Sequence, residues 1–257
     1  MKVYFIGAGP GSADLITVRG ANILGSVAVV LYAGSLVSKE MLVYCRTDAQ
    51  IINTAKLSLD EQEAQYVRAR DHDLDVARLH SGDPSIYGAT AEQMRRLERL
   101  EIEYEVVPGV SSFVAAAALL NTELTKPEIA QTIILTRTDG RASPMPEKES
   151  LRALAAHTTT MCVFLSGGQL SEVVAELLVH YRPDTPASLV HKATWRQEMI
   201  WSGLLGKIPE EVVPRDWELS TMLIVGEVLN RKAGTESRLY ASEYSHLYRK
   251  ATRKTTT

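Results

Sequence analysis

Gly82, Asp83 and Pro84 stand together in "HSGDPSIYGAT", residues 80–90, where an apolar run ends and a helix-like run begins. Pro84 biases Asp83 toward an extended backbone, presenting its carboxylate to an ammonium or hydroxyl group of a ligand. The same residue suits an Asx-type turn, and the sequence leaves both roles open. Tyr87 can stack on a ligand or simply pack against a sheet. In "IGAGPGS", Gly7, Gly9 and Gly11 let the backbone approach a ligand closely. This loop breaks the dinucleotide fingerprint, because Ser12 stands where the third glycine is required. Pro10 also lacks an N–H to offer a phosphate. "VPGVSSF" sets Ser111 and Ser112 at the start of an alanine-rich helix, one as N-cap and the other able to meet a ligand at the positive helix end. "FLSGGQL" repeats that design with Ser166, and "VHKATW" gathers Lys192, Ala193 and Trp195 at another strand end. The 6 histidines are scattered, with no HExxH or other metal-ligand spacing, so no metal site is expected. No G-x-S-x-G elbow is present either. Chemistry here calls for an organic cofactor or co-substrate.

Loops of this kind need strands to end on, since ligands in open α/β sheets sit outside the carboxyl ends of the strands. Strands are expected at "KVYFI", "VAVVL", "AQII", "LDVARL" and "EYEVV", then at "QTIIL", "TMCVFL", "ASLVH", "EMIWSGL" and "STMLIVG". Helix-like runs alternate with them, which is the pattern of α/β domains. Ser58 with Glu61, and Thr90 with Gln93, have the spacing of capping boxes. "LSEVVAELLVHY" is an amphipathic helix. A division near residue 120 separates an N-terminal domain, 1–120, from a C-terminal one, 121–230. Residues 231–257 form a basic, polar tail expected to be mobile. Tyr240, Tyr244 and Tyr248 recur there every four residues, as in a short docking helix.

The 257 residues are 45% hydrophobic and 23% charged, as in an ordinary soluble globular protein. A net charge of −3 gives no global basic face for nucleic acid. No apolar stretch reaches the roughly 18 residues of a membrane span, and "MKVYFIGAGPG" lacks a signal-peptide cleavage pattern. Cys45 and Cys162 are far apart and read as small apolar residues in a reducing compartment. A cytoplasmic location is expected.

Taken together, "VYFIGAGPGSADLITVRG", "HSGDPSIYGA" and "VPGVSSFVAAAA" resemble the tetrapyrrole methylases, which transfer methyl from S-adenosylmethionine to corrin and sirohaem precursors. "YAGSLV", "ILTRTDGR" and "HKATW" resemble the branch that acts on precorrin-4 or cobalt-precorrin-4 at ring carbon C-11. The likeness covers about residues 2 to 230. It implies a tetrapyrrole methylase fold, two α/β domains with S-adenosylmethionine in the cleft between them, and a homodimer. Mapped by motif, it assigns Pro10, Ser81, Gly82, Asp83, Ile86, Tyr87, Ser111, Ser112, Ser166, Ala193 and Thr221 to the cofactor. Precorrins carry many carboxylates, so Arg137, Arg141 and Lys192 are the candidates for binding the tetrapyrrole, their alternative being a solvated basic surface. Related sequences read "KATWP", whereas Arg196 takes the proline's place here, which puts the local turn in question. A methylase acting at another corrin carbon, a dinucleotide oxidoreductase and a non-catalytic sensor of S-adenosylmethionine are the rival readings.

Overall fold

The apolar runs form ten strands in two sheets, in a computed structural model that describes residues 1–139, 144–165, 169–217, 219–235, 237 and 241–252. In the first half, the elements are β1 (Lys2–Gly7), α1 (Val18–Leu24), β2 (Val29–Tyr32), β3 (Gln50–Asn53), α2 (Leu59–Asp71), β4 (Val76–His80), α3 (Thr90–Arg99), β5 (Glu103–Val107) and α4 (Ser112–Leu119). The sheet order is β3-β2-β4-β1-β5, with every neighbouring pair parallel. Parallel strands bury both faces, which explains why β2 and β4 are buried throughout, β2 as an unbroken apolar run and β4 with Arg78 and His80 set among its apolar residues.

The faces are covered by different helices. Val3, Phe5 and Val76 pack in one cluster with Tyr66 and Ala69 of α2 and Leu97 of α3. Ile6, Ala77 and Leu79 pack in another with Leu24 of α1. Full burial of one such leucine side chain contributes about 1.5–3 kcal/mol. The neighbouring central strands β1 and β4 therefore send their chains to helices on opposite faces. That divergence opens the crevice at the carboxyl ends where α/β sheets bind ligands.

The second half comprises β6 (Ile133–Arg137), α5 (Leu151–Ala155), β7 (Thr160–Leu165), α6 (Leu170–Leu177), β8 (Pro186–His191), β9 (Met199–Leu204) and β10 (Thr221–Val225). Its sheet, β6-β7-β10-β8-β9, is mixed: β6 and β7 are parallel, while β10 runs antiparallel to β7. Met161, Val163 and Leu165 of β7 pack with Val173, Val174 and Leu177 of α6. Internal contacts divide the chain into two compact units, Met1–Leu119 with Val190–Met199, and Leu120–Leu189 with Ile200–Thr257.

Ser58 and Glu61 form the expected capping box at α2. Among the described residues of the tail, no helix forms around Tyr244 or Tyr248. Described residues near the end make turns and a bridge between His246 and Arg249, and Tyr240 lies outside the described set. Tyr248 is 89% exposed, so it gains no apolar burial to stabilise a short helix. Cys162 is buried, which pushes its thiol pKa up to about 12, and Cys45 is half-buried. Among the described residues no helix is long and apolar enough to cross a membrane.

Candidate active site

Three strand exits of the first unit meet backbone to backbone. Gly9 N–H donates to the Gly82 carbonyl at 3.2 Å, Gly82 N–H returns a bond to Gly9 at 2.8 Å, and Ala8 N–H donates to the His80 carbonyl at 2.8 Å. The exit of β5 closes on both. A Cβ on Gly109 would lie 2.2 Å from the Gly82 carbonyl oxygen and 2.7 Å from Gly7 Cα. A Cβ on Gly7 would lie 2.5 Å from Gly109 Cα. Glycine is required at positions 7 and 109 because backbone occupies the space of a side chain. Gly82 adds a positive φ of +63°, open to glycine at no steric cost.

Asp83 braces the same junction. Its Oδ1 accepts from Ser85 N–H at 2.8 Å and from the Ser85 hydroxyl, while Oδ2 accepts from Gly109 N–H at 2.8 Å. The turn role left open by the sequence is therefore realised, together with a tie to a loop 26 residues away. Burial opposes ionisation of this carboxyl, but the hydrogen bonds from Ser85 and Gly109 outweigh it and hold its pKa below the usual range.

The far end of this loop rests on a buried polar cluster that sequence reasoning missed. Tyr87 and Ala89 both have positive φ, +52° and +49°. Gln93 Nε2 donates to the Ala89 carbonyl at 3.1 Å, while its Oε1 accepts from Tyr66 Oη at 3.0 Å and from Arg78 Nε at 3.2 Å. Arg78 Nη1 donates to Thr54 Oγ1 at 3.0 Å. Thr90 and Gln93 consequently form no capping box. Ala89 occupies the cap position, Thr90 donates to the Pro84 carbonyl, and Gln93 is claimed by Arg78 and Tyr66. Burial and the Arg78 charge push the His80 pKa down to about 3, so this imidazole is neutral at working pH. The available signal was "VARLH", in which Arg78 and His80 alternate on one face of an otherwise apolar strand.

The turn after β8 joins the first unit. Ser12 N–H donates to Thr194 Oγ1 at 2.9 Å, and Trp195 Nε1 donates to the Pro10 carbonyl at 2.8 Å. Pro10 and Ala193 are buried, and Lys192 and Thr194 have φ of +45° and +67°. Arg196 forms an exposed pair with Glu40 at 2.7 Å. Pairs of that kind contribute about 0–1 kcal/mol.

Of the remaining expected site residues, Ser81 and Tyr87 are exposed, Ile86 is half-buried, Ser111 is buried and Ser112 begins α4. Arg137 pairs with Phe164, and Thr221 with Leu165, so both lie at the end of the second sheet where β7 exits. Arg137 Nη1 donates to the Thr138 carbonyl at 3.0 Å. Ser166 and Arg141 lie outside the described residues. Among the described residues no cluster of three or more histidine, cysteine or acidic side chains could hold a metal ion.

A parallel sheet with diverging central strands and interlocked glycine exits defines a small-ligand-binding α/β protein. The chain belongs to the tetrapyrrole (corrin/porphyrin) methylases, whose family model matches residues 2–209. It is 49% identical to a precorrin-4 C(11)-methyltransferase of Sinorhizobium sp over 97% of this chain and 98% of the relative. A solved cobalt precorrin-4 methyltransferase, a cobalamin biosynthetic enzyme, superposes with TM-score 0.85 and 40% identity, covering 89% of this chain and 95% of the other. A uroporphyrin-III C-methyl transferase from Thermus thermophilus, complexed with S-adenosylhomocysteine, superposes with TM-score 0.75 and 27% identity, covering 90% and 99%.

Proposed function

We propose that this chain transfers a methyl group from S-adenosylmethionine to ring carbon C-11 of precorrin-4, with the metal-free or cobalt-containing macrocycle as substrate. The observation that carries the reading is the interlock of exits at Gly9, Gly82 and Gly109, in a chain 49% identical to a precorrin-4 C(11)-methyltransferase. The groups present suit such a donor. The N-terminus of α4 beside Ser111 and Ser112 favours a carboxylate, and Ser81 offers an exposed hydroxyl.

When bound, S-adenosylmethionine supplies an electrophilic sulfonium methyl, so no general base is assigned. The residues' work is positioning, since alignment with reacting atoms about 3–3.5 Å apart supplies much of the acceleration. Pro10, Ser81, Gly82, Ile86, Tyr87, Ser111, Ser112 and Ala193 are assigned to hold the cofactor. Asp83 is assigned to it through the turn it fixes. Ser166 and Thr221 join the set on the family resemblance alone. Arg137, Arg141 and Lys192 are assigned to the acidic side chains of the macrocycle, where a guanidinium fork or an ammonium pairs with carboxylate. The family reading also carries a homodimer into the proposal, and the composition a cytoplasmic location.

S-adenosylhomocysteine is expected to raise the melting temperature, whereas NAD and ATP leave it unchanged. A ligand at about 100 times its dissociation constant adds about 2.7 kcal/mol, readily seen in a thermal melt. No shift at millimolar S-adenosylhomocysteine contradicts the cofactor assignment.

A further inference from the structure

The Pro10–Ser12 loop is fixed only in part by bonds to its sequence neighbours. Gly9, Gly11 and Pro10 carry no polar side chain, and Pro10 has no backbone donor. Gly9 is tied to Gly82, and the Ser12 carbonyl and hydroxyl bond locally to Leu15 N–H and the Asp14 carboxylate, but the Pro10 carbonyl and the Ser12 N–H take their partners from elsewhere. The turn Lys192–Glu198 supplies them. The Trp195 indole N–H takes the Pro10 carbonyl at 2.8 Å, and Thr194 Oγ1 takes Ser12 N–H at 2.9 Å. Between these two bonds the indole lies against Gly11, where a Cβ would be 2.2 Å from Trp195 Cδ1.

This turn is held in an unfavourable conformation to do so. Thr194 is β-branched yet has φ +67°, a combination that persists only where surrounding contacts over-determine it. Glu198 Oε2 accepts from Thr194 N–H at 2.7 Å, and Trp195 N–H donates to the Lys192 carbonyl at 2.9 Å. Backbone strain of this kind concentrates at ligand clamps.

We propose that Lys192–Glu198 is a latch that fixes the Pro10–Ser12 loop in its cofactor-binding geometry, with Trp195 and Thr194 as its positioning residues and Glu198 holding Thr194 in place. The inference rests on the reading of that loop as part of the S-adenosylmethionine site. Neither side chain needs to touch the cofactor. Each acts through the backbone of Pro10–Ser12, so its loss lowers affinity without changing the methyl-transfer step.

The test uses the full chain, with affinity for S-adenosylhomocysteine measured by calorimetry. Trp195→Phe keeps an aromatic side chain and removes the indole N–H; Thr194→Val keeps the shape and removes the acceptor. Each is expected to weaken binding about tenfold, the loss of one ordered hydrogen bond. Thr194→Ser, which keeps the hydroxyl, is expected to stay within about twofold of the original. Ligand-free melting temperatures of the three variants should agree with the unsubstituted chain within a few degrees. In steady-state turnover, the KM for S-adenosylmethionine rises with the loss of affinity while kcat is retained. If the unsubstituted chain binds and the Phe and Val variants bind equally well, the latch is overturned and the cofactor reading stands. If the unsubstituted chain does not bind, the cofactor reading falls, and the latch with it.

Discussion

Gly109→Ala is expected to destabilise the first unit by about 3 kcal/mol, the upper end of overpacking costs, and to abolish binding of S-adenosylhomocysteine. The added Cβ would sit 2.2 Å from the Gly82 carbonyl oxygen and 2.7 Å from Gly7 Cα. Both obstacles are backbone, so no rotamer change relieves them. The exits of β1, β4 and β5 must move apart, which strains the Gly9–Gly82 bonds and the Asp83–Gly109 bond together. Gly25→Ala is the matched control. Its Cβ would meet nothing closer than 3.6 Å, and its φ of −73° suits alanine. That variant should be neutral or gain up to about 1 kcal/mol through the unfolded state. Urea melts of the two variants against the original chain read the contrast. Equal stability of Gly109→Ala and the unsubstituted chain would refute the interlock.

Asp83→Ala should cost about 2–3 kcal/mol, because the Gly109 and Ser85 amides lose a charged acceptor in a half-buried junction. S-adenosylhomocysteine affinity should fall with it, as the β4 and β5 exits loosen. The pH dependence has a definite sign. The folded-state pKa of Asp83 is lowered, so its ionised form contributes stability that is fully present above the unfolded-state value, near 3.9. That contribution is lost as the pH falls through the lower, folded-state value. The gap between the original chain and Asp83→Ala, read from urea melts, should therefore be constant from neutral pH to about 5 and shrink below about 4. A gap independent of pH down to the acid limit would mean that the carboxylate charge plays no part.

Local signals carried most of the fold and little of the site's geometry. The ten strands among the described residues could be read because most are short runs rich in β-branched or other apolar residues, bounded by glycine, proline or polar clusters. Ser58 and Glu61 cap α2 as their spacing implies, since both partners lie within one turn. The same spacing at Thr90 and Gln93 misleads, because Tyr66 and Arg78, distant in sequence, take Gln93 instead. Gly7 and Gly82 were visible as loop formers, but their contact with each other and with Gly109 depends on strand order, with β1 lying between β4 and β5. Trp195 bonding to Pro10, 185 residues away, was likewise beyond any local pattern.

Methyl transfer to ring carbon C-11 is the reaction on which the reading of the site depends. Incubation of the purified chain with S-adenosylmethionine labelled with carbon-13 in its methyl group, and with precorrin-4 or cobalt-precorrin-4, tests it most directly. Mass spectrometry counts the methyl groups gained, and carbon NMR locates the label. A single labelled methyl, attached at C-11, is expected. A label at another ring carbon, or no transfer to either macrocycle by a chain that binds S-adenosylhomocysteine, would contradict it.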